Sequence, residues 1–241
     1  MNPLITIVGP TAVGKTDLTL DLAEHLHAEV ISGDAYQVYK QLNIGTAKPS
    51  VDELNRVKHH LIDILDPNDS YSVSIFQDQA KEIIARLKDR NILPILSGGT
   101  GLYVQSLLEN YNFNDVKPDE YLRAELDELY STKGIEGLRD YAFTLGKEHN
   151  IEIQYSDKHR LYRAIEILHH GDVDSLRNQT KDGVSYKGSV IGLMRDRDKL
   201  YERINLRVDM MFDAGLIEEV EQLIKSGVNP DCQAFKGIGY K

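Results

Sequence analysis

One short stretch near the amino terminus constrains the fold more than any other feature of the chain. An apolar run at residues 4–8 leads directly into Gly-Pro-Thr-Ala-Val-Gly-Lys-Thr at residues 9–16. This Gly-x-x-x-x-Gly-Lys-Thr spacing directs successive backbone N–H groups into one concavity and adds an ammonium group and a hydroxyl group. Leu18, Leu22 and Leu26 then recur at helical spacing. We therefore predict a strand, a phosphate-binding loop and a helix, in that order.

The composition is that of an ordinary folded protein, and it excludes some classes of site. Of the 241 residues, 41% are hydrophobic and 27% are charged, which suits one large α/β domain with or without an insertion. The formal net charge of −10 argues against a generally basic nucleic-acid-binding surface but leaves room for a local basic patch. The single cysteine, Cys232, excludes an intrachain disulfide and a cysteine-based metal cluster. We see no signal peptide or membrane span, so we expect a cytoplasmic protein.

Two polar side chains follow predicted strands close to the phosphate loop. Asp34 comes after the strand at 29–32, and Thr100 comes after the strand at 92–96. Open α/β sheets bind ligands at the carboxyl ends of their strands, so both residues are candidates for the chemistry. The alternative for Asp34 is a turn, a cap or a magnesium-associated carboxylate, and the alternative for Thr100 is a helix N-cap.

The sequence pattern changes between residues 112 and 185, where predicted helices follow one another without intervening strands. We interpret 112–185 as a helical insertion domain. The α/β core then consists of residues 1–111 and 186–241.

One helix of the insertion carries a candidate RNA-binding face. Asp157 is predicted to cap this helix, and Arg160 and Arg163 lie one turn apart on it beside His159 and Tyr162. Cations and aromatic rings together suit single-stranded RNA, which is bound through phosphates and stacked bases. A solvated helix face is the alternative.

A long helix is predicted after the last strand. Its apolar stripe is expected to be buried and consists of Leu200, Ile204, Val208 and Met211. Arg203 and Arg207 lie four residues apart on another face. Such a pair can bind a diphosphate through paired hydrogen bonds, or it can form ion pairs with acidic residues nearby.

Several motifs in fixed order extend the interpretation beyond a generic phosphate loop. They occupy residues 9–16, 34–39, 44–49, 60–63, 98–103, 160–164 and 239–241. Together they resemble the tRNA dimethylallyltransferases over essentially the whole chain. The resemblance implies an α/β fold with a P-loop NTPase-like three-layer core, a parallel sheet and a tRNA-binding helical insertion. Members of that family usually continue with more helices, so we expect this chain to lack the family's C-terminal helices.

The resemblance also implies a reaction and roles for individual residues. The family transfers a dimethylallyl group from dimethylallyl diphosphate to N6 of the adenosine 3′ to certain tRNA anticodons. Thr16 would help to place Mg²⁺, Asp34 would accept the proton, and Thr100 and Arg123 match positions near the reacting centre. The residues expected to bind the diphosphate are Gly9, Pro10, Thr11, Ala12, Val13, Gly14, Lys15, Thr16, Arg203 and Arg207.

The implied partner is the anticodon stem-loop of tRNA, bound by a cytoplasmic monomer away from membranes. The residues expected to contact tRNA are Asp34, Ala35, Tyr36, Gln37, Thr100, Arg123, His159, Arg160, Leu161, Tyr162 and Arg163. Ala35 departs from the family, in which a serine often follows the aspartate. Three alternatives stay open: an adenylate isopentenyltransferase acting on free AMP, ADP or ATP, a small-molecule P-loop kinase, and a nucleotide-binding switch.

Overall fold

The computed structural model describes residues 2–113, 116, 118–171, 173, 176, 183, 184 and 186–241. The chain divides into two compact units. The first unit comprises Met1–Asn110 and Gly183–Lys241, and the second comprises Tyr111–Asp182. That the second unit binds tRNA stays a prediction.

A parallel β-sheet forms the centre of the first unit. The described strands of this unit are β1 (Asn2–Pro3), β2 (Ile5–Val8), β3 (Glu29–Ser32), β4 (His59–His60), β5 (Pro94–Gly98), β6 (Tyr186–Lys187) and β7 (Val190–Gly192). The main sheet has the strand order β4-β3-β5-β2-β7, and β1 pairs separately with β6; all of these pairs are parallel. This order places β2, which leads into the predicted phosphate loop, next to β5 and one strand away from β3.

Helices cover both faces of this sheet. The helices of the first unit are α1 (Lys15–Leu26), α2 (Val51–Arg56), α3 (Val73–Asp89), α4 (Gly101–Leu108), α7 (Arg197–Asp213) and α8 (Leu216–Lys225), with a 3₁₀ turn at Ala234–Lys236. Val30 and Ile95 pack with the buried side of α1, whereas Ile31 and Leu96, the next residues along the strands, pack with Phe76 of α3. Successive strand residues point to opposite faces, so one sheet supplies two apolar cores. The predicted three-layer α/β fold with a parallel sheet is confirmed.

The second unit is helical in the residues that the structure describes. Its main elements are α5 (Glu120–Glu148), interrupted at Gly134, and α6 (Lys158–His169). Gly134 has a φ of 64° and a ψ of −160°, which breaks the helix into two segments that can pack on one neighbour. Their shared core contains Leu122, Leu126, Leu138, Ala142, Leu161, Tyr162 and Ile165.

The predicted burial of the long helix α7 is wrong. No residue of α7 is buried, and Val208 is 42% exposed. Helical periodicity marks one face of a helix as apolar, but the tertiary structure decides whether a neighbour covers that face. Within the described residues α7 lies along the phosphate loop, to which its arginines bind, and its apolar side chains stay partly open to solvent.

None of the described helices is both long enough and apolar enough to cross a lipid bilayer.

The carboxyl ends of β3 and β5 approach each other very closely. A Cβ atom added to Gly98 would lie 2.3 Å from the carbonyl oxygen of Gly33 and 2.6 Å from its Cα. The Gly33 N–H donates to the Ser97 carbonyl at 2.8 Å, and the Thr100 N–H donates to the Gly33 carbonyl at 3.3 Å. Only glycine at position 98 allows the loops that follow both strands to meet.

We expect Gly98→Ala to destabilise the protein, because its methyl group would overlap the Gly33 backbone. Overpacking of this kind costs about 1–3 kcal/mol, and each kcal/mol lowers the melting temperature by roughly 2–4 °C in a chain of this size. Gly101→Ala is the matched control, since nothing lies within 4 Å of a Cβ there. Thermal unfolding followed by circular dichroism gives both melting temperatures, and equal values would contradict the close approach.

Candidate active site

The phosphate loop connects β2 to α1 and has the backbone geometry that its glycines permit. A Cβ at Gly9 would lie 2.8 Å from the Leu193 carbonyl oxygen, and Gly14 adopts a left-handed conformation with a φ of 106°. The Lys15 ammonium folds back over the loop and donates to the carbonyls of Gly9 at 2.9 Å and Pro10 at 2.8 Å. The loop is therefore a curved strip of backbone with a cation beside it and the N-terminus of α1 beneath it.

Two arginines of α7 bind this loop directly. The Arg203 Nε atom donates to the Ala12 carbonyl at 2.8 Å, and the Arg207 Nη1 atom donates to the Thr11 hydroxyl at 3.3 Å. Neither arginine forms an ion pair with an acidic residue among the described residues, so the interpretation as a diphosphate clamp is geometrically available. Their contacts bring α7, nearly 200 residues away in sequence, onto the loop.

Asp34 occupies the end of β3 and is held by a local turn. Its Oδ1 atom accepts hydrogen bonds from the backbone N–H groups of Tyr36 at 2.9 Å and Gln37 at 3.2 Å. This is the turn role that the sequence left open for Asp34, and it does not exclude a chemical role. Since Asp34 also lines the cavity described below, the turn fixes the carboxylate in place with its other oxygen free of any described hydrogen-bond donor.

Thr100 links the loop after β5 to the loop after β3. It stands at the N-cap position of α4, but its hydroxyl makes no capping hydrogen bond. The Thr100 Oγ1 atom accepts instead from the Ala35 N–H at 3.1 Å. Thr100 therefore holds the backbone that follows Asp34.

Hydrogen bonds to both the nitrogen and the oxygen of its amide fix the orientation of the Gln37 side chain. Its Nε2 atom donates to the carbonyls of Thr46 and Ala47, both at 3.3 Å, and its Oε1 atom accepts from the Ser32 hydroxyl at 3.2 Å. The Gln37 amide thus connects β3 to the loop at residues 43–48.

These groups face one cavity of about 560 Å³, a size usual for small-molecule sites. All of its lining residues belong to the first unit. The predicted site residues in the lining are Thr11, Ala12, Gly14, Lys15, Thr16, Asp34, Gln37, Thr100, Arg203 and Arg207. Gly9, Pro10, Val13, Ala35 and Tyr36 shape the surrounding loops and are not part of this lining.

The cavity has a cationic end and apolar walls. Lys15, Arg203 and Arg207 supply the positive charges, and Asp17 and Asp34 are the carboxylates of the lining. Asp34 is the carboxylate whose charge acts on Lys15 and Arg207. Apolar side chains complete the walls: Val30, Ala47, Pro49, Ile62, Leu206, Met210 and Ile238. The arrangement suits an elongated ligand with an anionic head and a short apolar tail.

Burial lowers the pKa of two cations in the site. Burial lowers the pKa of Lys15; the nearby Asp34 opposes this shift and Arg207 adds to it. Burial likewise lowers the pKa of Arg207, again against the effect of Asp34. Partly desolvated cations gain most from a bound polyanion, because the anion replaces the charge stabilisation that water no longer supplies.

The residues present fit a magnesium ion that completes its coordination with ligand oxygens. The Thr16 hydroxyl and the Asp34 carboxylate line the same cavity, and both are hard oxygen donors. No group of three or more His, Cys, Asp or Glu side chains that could hold a metal occurs among the described residues. Mg²⁺ commonly binds through one or two protein oxygens, with phosphate oxygens and water as its other ligands.

Arg123, in the second unit, forms a buried ion pair. Its guanidinium donates to both carboxylate oxygens of Glu166, at 2.5 and 3.2 Å, and Glu166 is fully buried. Arg163 and the Asp119 N–H also donate to this carboxylate, at 3.3 and 3.2 Å. The structure thus gives Arg123 a structural role, and its predicted catalytic role stays a prediction.

The predicted RNA-binding face of α6 needs a correction. Tyr162 is 6% exposed and its hydroxyl donates to Asp127 at 2.9 Å, so its ring lies in the core and is not available to stack on a base. Leu161 is buried as well, and only His159 and Arg160 in this stretch are exposed. Residue 162 follows the buried position 161 on the helix, and α5 covers both.

Some residues that the structure brings to the site were not predicted from the sequence to lie there. His59 lines the cavity because β4 pairs with β3, which sets it opposite Val30. Arg195 donates to the Val13 carbonyl of the phosphate loop at 3.4 Å. The position of His59 in the cavity follows only from the strand order, which local sequence patterns do not give. For Ala47 and Pro49, the motif at residues 44–49 could have predicted a place in the site.

Comparison with known proteins places these features in a family. The family model described as IPP transferase matches residues 37–241. A protein of Bacillus anthracis named tRNA dimethylallyltransferase is 43% identical over 238 residues, which cover 98% of this chain and 75% of that protein.

Solved structures give the same result. A tRNA isopentenylpyrophosphate transferase from Bacillus halodurans is 42% identical with a TM-score of 0.70, and the match covers 100% of this chain and 75% of that one. A corresponding enzyme from Staphylococcus epidermidis is 39% identical with a TM-score of 0.68, covering 100% of this chain and 78% of that one. The family match and the identity to its members lead to one conclusion: this chain belongs to the IPP transferase family.

Proposed function

We propose that the protein transfers a dimethylallyl group from dimethylallyl diphosphate to N6 of an adenosine in tRNA, next to the anticodon on its 3′ side. The observation that carries the proposal is the shared cavity, in which a cationic phosphate loop, apolar walls and the Asp34 carboxylate face one another. The curated relatives named tRNA dimethylallyltransferase support this reaction over the others that a phosphate loop allows. The protein is proposed to act in the cytoplasm as a monomer.

The phosphate loop receives the leaving group. As the bond between the allylic carbon and the diphosphate oxygen breaks, negative charge grows on that oxygen. Lys15, Arg203 and Arg207 stabilise this charge together with the N–H groups of the loop. Mg²⁺, held by Thr16 and diphosphate oxygens, would neutralise part of the same charge.

Asp34 receives the proton. The N6 atom of the adenosine forms a bond to the allylic carbon, and the proton that N6 loses goes to the Asp34 carboxylate. The turn that binds Oδ1 holds the carboxylate at the end of β3, and Thr100 fixes the backbone beside it. The products are N6-dimethylallyladenosine and diphosphate, so atoms and charge balance.

The acceptor base must leave its stack in the tRNA anticodon loop to enter the cavity. This costs a few kcal/mol and is easiest in a single-stranded loop. The exposed His159 and Arg160 of the second unit are proposed to bind the RNA backbone. A local contact of this kind is compatible with a chain whose net charge is −10.

The acceptor is tested with labelled dimethylallyl diphosphate, Mg²⁺ and either tRNA or AMP. We expect label in tRNA, recovered by nucleoside analysis as prenylated adenosine. Label in AMP alone would overturn the proposal in favour of an adenylate isopentenyltransferase. ATP consumption without a prenyl donor would favour a small-molecule kinase.

We expect Asp34→Asn to lower kcat by about 10²–10⁴-fold, because a general base contributes that much. The asparagine keeps an oxygen for the Tyr36 and Gln37 N–H groups, so the turn and dimethylallyl diphosphate binding should persist. Asp78→Asn, on the exposed face of α3, is the control and should be silent. Single-turnover transfer to tRNA and calorimetric donor binding provide the two readouts. An Asp34→Asn protein that retains the wild-type rate would refute the assignment.

We expect Arg123→Ala to destabilise the protein by about 3 kcal/mol, because it removes one of the cations that pair with the buried Glu166 carboxylate. Arg163 still donates to Glu166, which keeps the cost at the lower end. Arg139→Ala removes an exposed ion pair with Glu136 and should cost less than about 0.5 kcal/mol. Urea unfolding measures both changes.

A second substitution separates the structural role of Arg123 from a catalytic one. Adding Glu166→Gln to Arg123→Ala removes the buried negative charge that Arg123 no longer balances, and it should recover much of the stability. If Arg123 also acts near the reacting centre, transfer to tRNA stays slow in this double variant. Full recovery of the transfer rate would restrict Arg123 to its structural role.

A further inference from the structure

A carboxylate on α8 holds the loop at residues 43–48 by its backbone. Glu219 accepts from the N–H of Asn43 at 3.0 Å, of Ile44 at 3.0 and 3.1 Å, and of Gly45 at 3.4 Å. Three successive N–H groups thus converge on one side chain. The partners that the structure describes for this carboxylate are backbone N–H groups and a hydroxyl, and none of them is a cation. These donors therefore stabilise its negative charge.

The second member of this arrangement is Tyr240. Its hydroxyl donates to Glu219 at 2.5 Å and accepts from the Gly45 N–H at 3.1 Å. Burial raises the pKa of Tyr240 and Glu219 raises it further, so the hydroxyl remains a donor. A Cβ at Gly45 would lie 2.7 Å from the Tyr240 ring, and a Cβ at Gly239 would lie 2.5 Å from the Gly45 carbonyl oxygen. The two segments are in close contact.

The loop held in this way reaches the candidate active site. Thr46 and Ala47 line the cavity, and their carbonyls accept both hydrogen bonds of the Gln37 amide nitrogen. The Gln37 N–H in turn donates to Asp34. Hydrogen bonds joined by short backbone segments therefore connect Glu219 through the loop to Gln37 and Asp34, although Glu219 and Tyr240 do not line the cavity.

We infer that Glu219 and Tyr240, the loop clamp, are positioning residues for the acceptor. They hold the Thr46 and Ala47 carbonyls where these orient the Gln37 amide, and the Gln37 backbone N–H binds Asp34. The inference rests on the proposed function, which assigns Asp34 to the adenosine and the phosphate loop to the donor. The hydrogen bonds that the structure describes for the clamp go to residues 43–45 and not to the phosphate loop, so we expect the clamp to act on tRNA and not on the donor.

The chemistry of position 219 makes the inference specific. A carboxylate offers two acceptor oxygens to three N–H groups and one hydroxyl. An amide of the same shape offers one oxygen and turns an NH₂ group toward donors. Glu219→Gln therefore changes the charge and hydrogen bonding of the clamp with little change in volume. Glu221→Gln is the matched control, because Glu221 lies on the same helix and pairs with Lys225 at 3.0 Å.

The test is steady-state transfer with each substrate varied. For Glu219→Gln we expect the KM for tRNA to rise about ten- to a hundredfold, the range for losing a charged hydrogen-bond acceptor. The KM for dimethylallyl diphosphate should stay within about twofold, a change worth less than one ordinary hydrogen bond. Tyr240→Phe should have the same effect in weaker form, and Glu221→Gln should behave as wild type. An unchanged KM for tRNA, or equal changes for both substrates, would overturn the inference.

A double-variant cycle and amide exchange separate positioning from general support of the fold. The effects of Glu219→Gln and Gln37→Ala on the KM for tRNA should not add, because both act through one amide. Hydrogen exchange at Asn43, Ile44 and Gly45 should accelerate in Glu219→Gln while α3 stays protected; acceleration throughout the chain, or additive effects, would show a merely structural role. If wild-type protein transfers nothing to tRNA, the proposed function and the acceptor assignment fail together. Amide exchange then still reports whether the clamp holds the loop.

Discussion

The site depends on the close approach of two strand ends. Gly98 lies against the Gly33 backbone, and this contact brings the loop that begins with Asp34 next to the loop that contains Thr100. Both loops open toward the phosphate loop because β5 lies between β3 and β2 in the sheet. A side chain at position 98 would overlap the Gly33 backbone, which directly precedes Asp34. This backbone contact therefore helps to fix the position of Asp34.

Charge links Asp34 to the cations at the phosphate loop. Lys15, Arg203 and Arg207 line the cavity at the phosphate loop, and Asp34 is the carboxylate whose charge acts on Lys15 and Arg207. Asp34 supports the positive charge of Lys15 and Arg207 against burial. A bound diphosphate, as an anion, would add to this support.

The candidate site is predictable from sequence to the extent that it is local. The phosphate loop, Asp34 and Thr100 each follow a strand within a few residues, and strand ends in a parallel sheet meet at one edge. Arg203 and Arg207 were recognised as a pair, but their contacts with Ala12 and Thr11 depend on where α7 lies. The interpretation of Tyr162 as a stacking residue was wrong, because helical spacing does not reveal which neighbour covers a given face.

The residue pattern by itself determined the order of strand, phosphate loop and helix, because spacing and alternation encode backbone geometry directly. The parallel sheet and the family followed from the resemblance of its ordered motifs to known proteins. Only the tertiary structure decided that α7 lies along the phosphate loop with an open apolar face, that His59 enters the cavity, and that Glu219 reaches the loop at residues 43–48. Glu219 contacts residues more than 170 positions away along the chain. Such contacts arise from the packing of whole elements, and no local spacing rule specifies that packing.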